Sequence, residues 1–379
     1  MDSRRILILV TLLVGLVCFV ACDKQRDLYD TASPVLQIEG NWIPSLGAAD
    51  MSGRATAMLY PDVVTKNRIG ITKEFLYRPS IITTKVSRGE YDVLLFNGLM
   101  FSEENTNLDH VFFRNTDNVE TFEAVAVEVA SNNRLVRTDG EYIASNDMEQ
   151  LTSAYAHVFV EGERQYFLKY KNGHNGYPSL EDYVESELKM IPIAVSYYSQ
   201  VVVHLVNPRS AAIANGALRG FVGSVMMASG EPETNFAVTH QLRLNNLTIS
   251  DQGTQGDPAN PERGTIESPW FVTFGPPLDR PEHSYTFELS IILRDGREIL
   301  RTFDVTEQVC ASIKNIIEYR ETHWDSYATS LLAPAVSIVP TIPIVICLEL
   351  PWIEPRYNDD NPMVNVNGWE DDEIIRVKI

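Results

Sequence analysis

From Pro34 onward the chain breaks into short apolar and aromatic runs separated by turn residues about every 8–12 residues, and this spacing constrains the fold most. Residues 35–42 and 55–60 are β-type runs around a Gly- and Pro-bearing loop, with Pro61 after the second. Residues 81–86 and 91–96 are joined by Ser87-Arg88-Gly89-Glu90, whose turn chemistry predicts a hairpin. Residues 110–113 and 122–129 continue the series, and the second is apolar on both faces, as a central strand is. Residues 155–160 and 165–170 flank Glu161-Gly162, and residues 179–190 are the one candidate helix in this half. The pattern is all-β and favours a sandwich.

At 379 residues the chain is about twice the usual ~100–200 of one domain. Two tandem β-sandwiches are expected, at residues 34–190 and 191–379. In the second half, residues 195–206, an Ala/Gly-rich stretch to Met227, 236–244 and 270–274 read as strands. Residues 284–293 and 297–305 flank Arg294-Asp295-Gly296, a strong hairpin signal. Val309, Ile313, Ile316, Ile317, Trp324, Tyr327 and Leu331 recur at helical spacing. Residues 336–350 are apolar but carry Pro340 and Pro343, which suits an edge or bulged strand. At the end, Ile375, Val377 and Ile379 alternate with Arg376 and Lys378. This strand is expected to seal the second sandwich, or else to be donated to a neighbouring subunit.

Hydrophobic residues make up 44% and charged residues 22%, which excludes wholesale disorder. The formal charge of −20 excludes nucleic acid as a partner, because a phosphate backbone would be repelled. It also opposes adsorption to anionic lipid through side chains. The N-terminus offers another route to a membrane. Arg4 and Arg5 precede an apolar stretch, residues 6–20, shorter than the ~20 residues a spanning helix needs. Residues 1–21 therefore read as a signal peptide cleaved between Ala21 and Cys22. A Cys after a small residue at this place resembles a lipobox, although Phe19 stands where an aliphatic residue is usual. The Cys22 thiol would carry diacylglycerol and further acyl chains such as palmitate, and two or three chains hold a protein stably. Residues 22–33 form a polar tether. The partner expected here is a lipid membrane, through acylated Cys22.

Cys310 and Cys347 lie in no C-x-x-C pair, and a single disulfide or two free thiols both remain open. The seven histidines have no zinc-ligand spacing, so no metal site is expected. Neither a nucleophile elbow nor a phosphate-binding loop occurs. Gly216, Gly220 and Gly223 are spaced loosely like a phosphate loop, but no Lys follows, and close backbone packing is the expected reading. Trp42 and Trp270 fall in strand runs and are expected in the core. No cofactor and no catalytic residue is nominated, and the chain is not expected to be an enzyme.

Several short patterns then resemble a family of Bacteroides-type lipoproteins of unknown function. After Cys22 and its tether come a first strand ending in Trp42, Leu59-Tyr60-Pro61, and Gly89-Glu90-Tyr91-Asp92-Val93 followed by Asn97. Phe113-Arg114-Asn115-Thr116-Asp117 and Thr121-Phe122-Glu123-Ala124 follow. The second half carries Gly216-Ala217-Leu218-Arg219-Gly220, Thr273-Phe274-Gly275, Asp295-Gly296-Arg297, Asp304-Val305-Thr306 and VNVNGW at residues 364–369. That family is similar to fimbrillins and fimbrial anchor subunits. The resemblance implies transthyretin-like sandwiches on a surface-exposed outer-membrane lipoprotein, with fimbrial subunits as partners. It implies pilus anchoring, assembly or adhesion, working by β-strand addition. Polymerising fimbrillins lose a first strand by cleavage after a basic residue, and anchors keep it. Arg54 is the corresponding candidate maturation site here. Asp30-Thr31-Ala32 resembles an O-glycosylation signal with Thr31 as acceptor, and a plain tether remains the alternative. The alternative function is a glycan-binding lipoprotein of a nutrient-uptake system, which would display coplanar exposed aromatics.

Overall fold

The computed structural model describes residues 35–40, 42, 55–64, 66, 74–78, 81–98, 108–131, 135–136, 140–160, 186–250, 253–254, 256–278, 284–324 and 339–353. The leader, the tether, Ala21, Cys22, Thr31, Arg54, Ile375, Val377 and Ile379 lie outside these residues.

Among the described residues the chain is all-β apart from one long helix. In order, the strands are β1 (Val35–Gly40), β2 (Ala55–Pro61), β3 (Glu74–Arg78), β4 (Ile81–Lys85) and β5 (Gly89–Asn97). Next come β6 (Val111–Arg114), β7 (Glu123–Ala126), β8 (Ile143–Ala144), β9 (Thr152–Val160), β10 (Ser186–Met190) and β11 (Ile193–Ala194). Then follow β12 (Tyr197–Val206), β13 (Ala211–Val222), β14 (Ser224–Met226), β15 (Ala237–Leu244) and β16 (Thr248–Ile249). The series ends with β17 (Arg263–Glu267), β18 (Phe271–Thr273), β19 (Thr286–Leu293), β20 (Glu298–Asp304), helix α1 (Thr306–Trp324) and β21 (Ile342–Glu349).

Two compact units form. The first takes the described residues of 1–41, 52–95 and 155–190, the second those of 42–51, 96–154 and 191–379. This differs from the expected split into 34–190 and 191–379. β7 pairs antiparallel with β14 and with β6, and β8 pairs parallel with β15, so β6, β7 and β8 join the sheets of the second half. Turn residues mark where a strand ends, but they carry no information about which distant strand it will meet.

In the first unit, β1 runs between β10, its parallel neighbour, and β4, its antiparallel one. Leu36 and Ile38 of β1 are fully buried. A second sheet runs β3-β2-β5-β9, and every residue of β2 is buried. The hairpin expected between residues 81–86 and 91–96 does not form, because β4 pairs with β1 whereas β5 lies between β2 and β9. The connection does reverse the chain, and the Tyr91 hydroxyl closes it by donating to the Ser87 carbonyl at 2.9 Å. A reversal between two sheets needs the same residues as a reversal within one. Nor is there helix at residues 186–190. There β10 alternates, with Lys189 exposed and Met190 buried, and pairing with β1 decides between two readings that so short a run allows.

In the second unit, one sheet runs β20-β19-β13-β15-β8. The β19–β20 hairpin forms as predicted around Asp295-Gly296, with Gly296 at φ 89°. Gly220, at φ 99°, sits at the register shift where β13 bulges against β15. In another sheet β17 and β18 line one side of β12, and β21 lines the other in parallel. β12 alternates buried and less buried residues along its length. His240 of β15 and Phe271 of β18 meet across these two sheets at 5.5 Å between ring centres. A third sheet runs β14-β7-β6, with β7 central and wholly buried as its two apolar faces predict. Phe96, Phe113 and Phe122 pack against one another at 5.1–5.8 Å. Such aromatic pairs contribute ~0.5–1.5 kcal/mol beyond area burial.

α1 follows β20 directly. The Asp304 carboxylate accepts the Thr306 N–H at 2.9 Å, and hydrogen bonding from the Thr306 hydroxyl first and its N–H second holds the Asp304 pKa below the usual range. Of the residues expected at helical spacing, Val309 and Ile316 are buried and Ile313 and Ile317 are half-buried, while Ser312 and Tyr319 complete the buried face. Tyr327 and Leu331 lie outside the described residues.

Candidate functional site

The motifs that carry the family resemblance are placed by the fold as turns, clamps and caps. On β5, Asp92 accepts hydrogen bonds from the Tyr155 hydroxyl at 2.7 Å and from the His157 ring at 3.0 Å, which ties β5 to β9. Asn97 donates to the Gln150 carbonyl at 2.8 Å and accepts the Thr152 N–H at 2.7 Å. Arg114 grips the buried Glu123 across β6 and β7 with two bonds, one of 2.7 Å from its Nη2. Arg219 reaches Glu141 at 2.6 Å, Glu288 at 2.9 Å and the Leu135 carbonyl at 2.7 Å, joining β13, β19 and the segment before β8. Thr239 of β15 donates to the same Glu141. Thr273 and Ser199 share a hydroxyl contact at 3.3 Å. None of these groups converges on a cleft.

A Cβ at Gly223 would stand 2.5 Å from the Phe236 ring, and one at Gly216 would overlap Phe287, so close packing explains these glycines. Cys310 and Cys347 are free thiols, the second exposed. Among the described residues no group of three or more His, Cys, Asp or Glu is placed to hold a metal ion. No helix among them is long and apolar enough to cross a membrane. His240 is fully buried. Its Nδ1 faces Asn146 Oδ1 at 3.0 Å, while the Asn146 amide nitrogen donates to the Gln241 carbonyl, so the imidazole proton sits on Nδ1. Nε2 has no hydrogen-bond partner among the described residues, and burial pushes the His240 pKa down to about 3.

Trp270 corrects its sequence reading. It is 42% exposed, at the break between β17 and β18. Ser268 holds that break to β12 through bonds with Val201, and the alternation then turns Phe271 inward and Trp270 outward. Trp42 is half-buried. The exposed large aromatics among the described residues are Phe112, Phe159 and Trp270, on three separate stretches of chain. Arg88 lies over Phe159 at 6.0 Å. This set offers no row of rings along one strand for stacking on a sugar.

One strand edge stands out. Among the described residues β21 has a strand neighbour only on the β12 side. On its other side, the Gln308 side chain of α1 accepts the Val345 N–H at 2.7 Å and donates to the Val345 carbonyl at 2.9 Å. A groove of about 630 Å³ separates α1 from β21. No sequence signal marked Gln308, since one glutamine on a helix predicts nothing about a strand edge 37 residues away.

No protein-family profile matches the chain, and no curated protein sequence matches it. Solved structures similar to it include a candidate adhesin from Bacteroides ovatus, 14% identical, with a TM-score of 0.49, covering 87% of this chain and 97% of that one. A candidate polysaccharide-binding protein from Bacteroides thetaiotaomicron is 11% identical, with a TM-score of 0.44, covering 84% and 93%. The fimbrial anchor protein Mfa2 from Porphyromonas gingivalis is 14% identical, with a TM-score of 0.34, covering 72% and 83%.

Proposed function

We propose that the chain is a non-enzymatic surface lipoprotein, held on the outer membrane by acylated Cys22, which serves a fimbrium as an anchor or accessory subunit or as an adhesin. The observation that carries this reading is the place of β1. It lies between β4 and β10, with Leu36 and Ile38 wholly buried. Cleavage after Arg54 would remove it and leave a strand-wide slot, into which an extended segment of another subunit could pair through main-chain bonds. Retained, β1 fills that slot itself, as the resemblance implies for an anchor. The Ala21-Cys22 junction after a short apolar stretch supports attachment at the same end of the chain.

Mass analysis of the membrane-bound protein tests both halves of the reading. The expected chain starts at an acylated Cys22 and contains residues 35–40, and Cys22→Ser yields a product without acyl label. A membrane-bound chain starting at Ala55 would reverse the anchor assignment. Acyl label that survives Cys22→Ser would remove the lipid attachment site.

A further inference from the structure

One end of the first unit gathers apolar side chains and cations at the surface. Directly after β2, Val63 and Val64 stand on a helical turn closed by the Lys66 N–H, which donates to the Asp62 carbonyl at 2.7 Å. Each valine is 74% exposed, the highest value for a large hydrophobic residue among those described. The Asp62 N–H donates to the Glu90 carbonyl at 3.0 Å, so this turn lies beside the start of β5. Across β5, the end of β9 presents exposed Phe159 with the Arg88 guanidinium over its ring. Exposed Lys85, the last residue of β4, belongs to the same end, because only residues 86–88 separate it from β5. Lys85 is the register partner of Val35, so the chain enters the first unit here.

We propose that this end of the first unit is a lipid-binding surface. Val63, Val64 and Phe159 enter the headgroup boundary of a bilayer, and Lys66, Lys85 and Arg88 meet its phosphates. Single exposed hydrophobic residues are ordinary, but a cluster rimmed by cations marks a contact surface. Lysine and arginine suit a bilayer in particular, since their aliphatic stems lie along apolar surface while their charges stay in water. The carboxylates among these residues are Asp62 and Glu90, and the His157 ring stands 3.9 Å from the second. Three cations against two carboxylates reverse, locally, the sign of a chain whose formal charge is −20. Exposed charges beyond ~8 Å are largely screened at physiological salt, so the local balance governs contact. An acyl group on Cys22 would hold the same end at the bilayer, where attachment makes even a weak surface bind. That last step rests on the lipoprotein reading, whereas the lipid affinity of the surface does not.

Sedimentation with vesicles of phosphatidylethanolamine and phosphatidylglycerol tests it on residues 22–379 carrying Cys22→Ser, which keep every described residue and no acyl group. This form should sediment with the vesicles at millimolar lipid, the local concentration that a short tether imposes. Val63→Ser with Val64→Ser should weaken binding at least about tenfold. Lys66→Gln with Arg88→Gln should weaken it at least about fivefold. Leu300→Ser, at an exposed position of the second unit, should leave binding unchanged. First-unit melting should match the parent throughout, because the substituted side chains lie at the surface. A parent that does not bind, or a valine variant that binds equally well, overturns the proposal whether or not Cys22 carries acyl label. Self-association of the parent that the valine variant abolishes would give the surface to a second copy, which also overturns it.

Discussion

β1 and β21 are held in opposite ways. β1 is interior to its sheet, with a strand on each side and two aliphatic side chains wholly buried. Among the described residues β21 is paired with a strand along one side only, and on the other a helix side chain bonds its backbone at one residue. Loss of β1 would therefore expose two strand edges at once, whereas the outer side of β21 is held at Val345 by the Gln308 amide. The first strand behaves as a filled slot and the last described strand as a guarded edge. Natural proteins guard edges because an open row of N–H and carbonyl groups invites aggregation, and Pro343 adds to the guard by removing one donor from the row.

The largest effect should come from emptying the slot. A chain beginning at Ala55 loses the burial of Leu36 and Ile38, ~3–6 kcal/mol at roughly 1.5–3 kcal/mol for each side chain. Calorimetry should show the first unit melting far earlier or not at all. Adding a peptide of residues 35–40 should restore its transition, and an unshifted first-unit transition would mean that β1 does not fill its sheet.

Within β21 the two faces should separate cleanly. Ile344 is fully buried, so Ile344→Ala should cost ~2–5 kcal/mol of second-unit stability in urea unfolding. Val345 is 43% exposed, and Val345→Ala should stay within about 0.5 kcal/mol. Equal losses at both positions would contradict the one-sided packing.

Acid should then divide the units. The native His240 pKa lies near 3, below the ordinary value of 6.5, so below pH 6.5 the unfolded chain binds a proton that the native core refuses. The contribution is fully present above pH 6.5 and is lost as pH falls towards 3, at about 1.4 kcal/mol per pH unit. At pH 4 that is roughly 3 kcal/mol. His240→Gln should flatten the pH dependence of the second-unit transition. Identical slopes in variant and parent would show that some other group carries the acid sensitivity.

How much was legible in the sequence depended on how far each signal reaches along the chain. The β19–β20 hairpin was legible because Asp295-Gly296 dictates a turn whose two strands are adjacent in sequence. The helical course of α1 and the edge character of β21 among the described residues were legible for the same local reason, since helical period and Pro343 act within a few residues. The Ser87–Glu90 connection was misread because its local chemistry is satisfied equally by a hairpin and by a crossing between sheets. β10 was misread because five residues are too few to separate the two periods. Gln308 was invisible, as its partner Val345 is near it only in space.

The sequence by itself determined the all-β class, many of the turn positions, the net negative charge, and the N-terminal pattern centred on Cys22. These follow from side-chain period and composition, which act along the chain. Only the tertiary structure decided that β1 is a central strand, that residues 96–154 belong with the second half, and that Trp270 turns outward. The physical reason is common to all three. A strand's backbone groups are satisfied by any other strand of suitable register, so the choice of partner rests on how buried faces from distant segments pack together, and no local pattern records it.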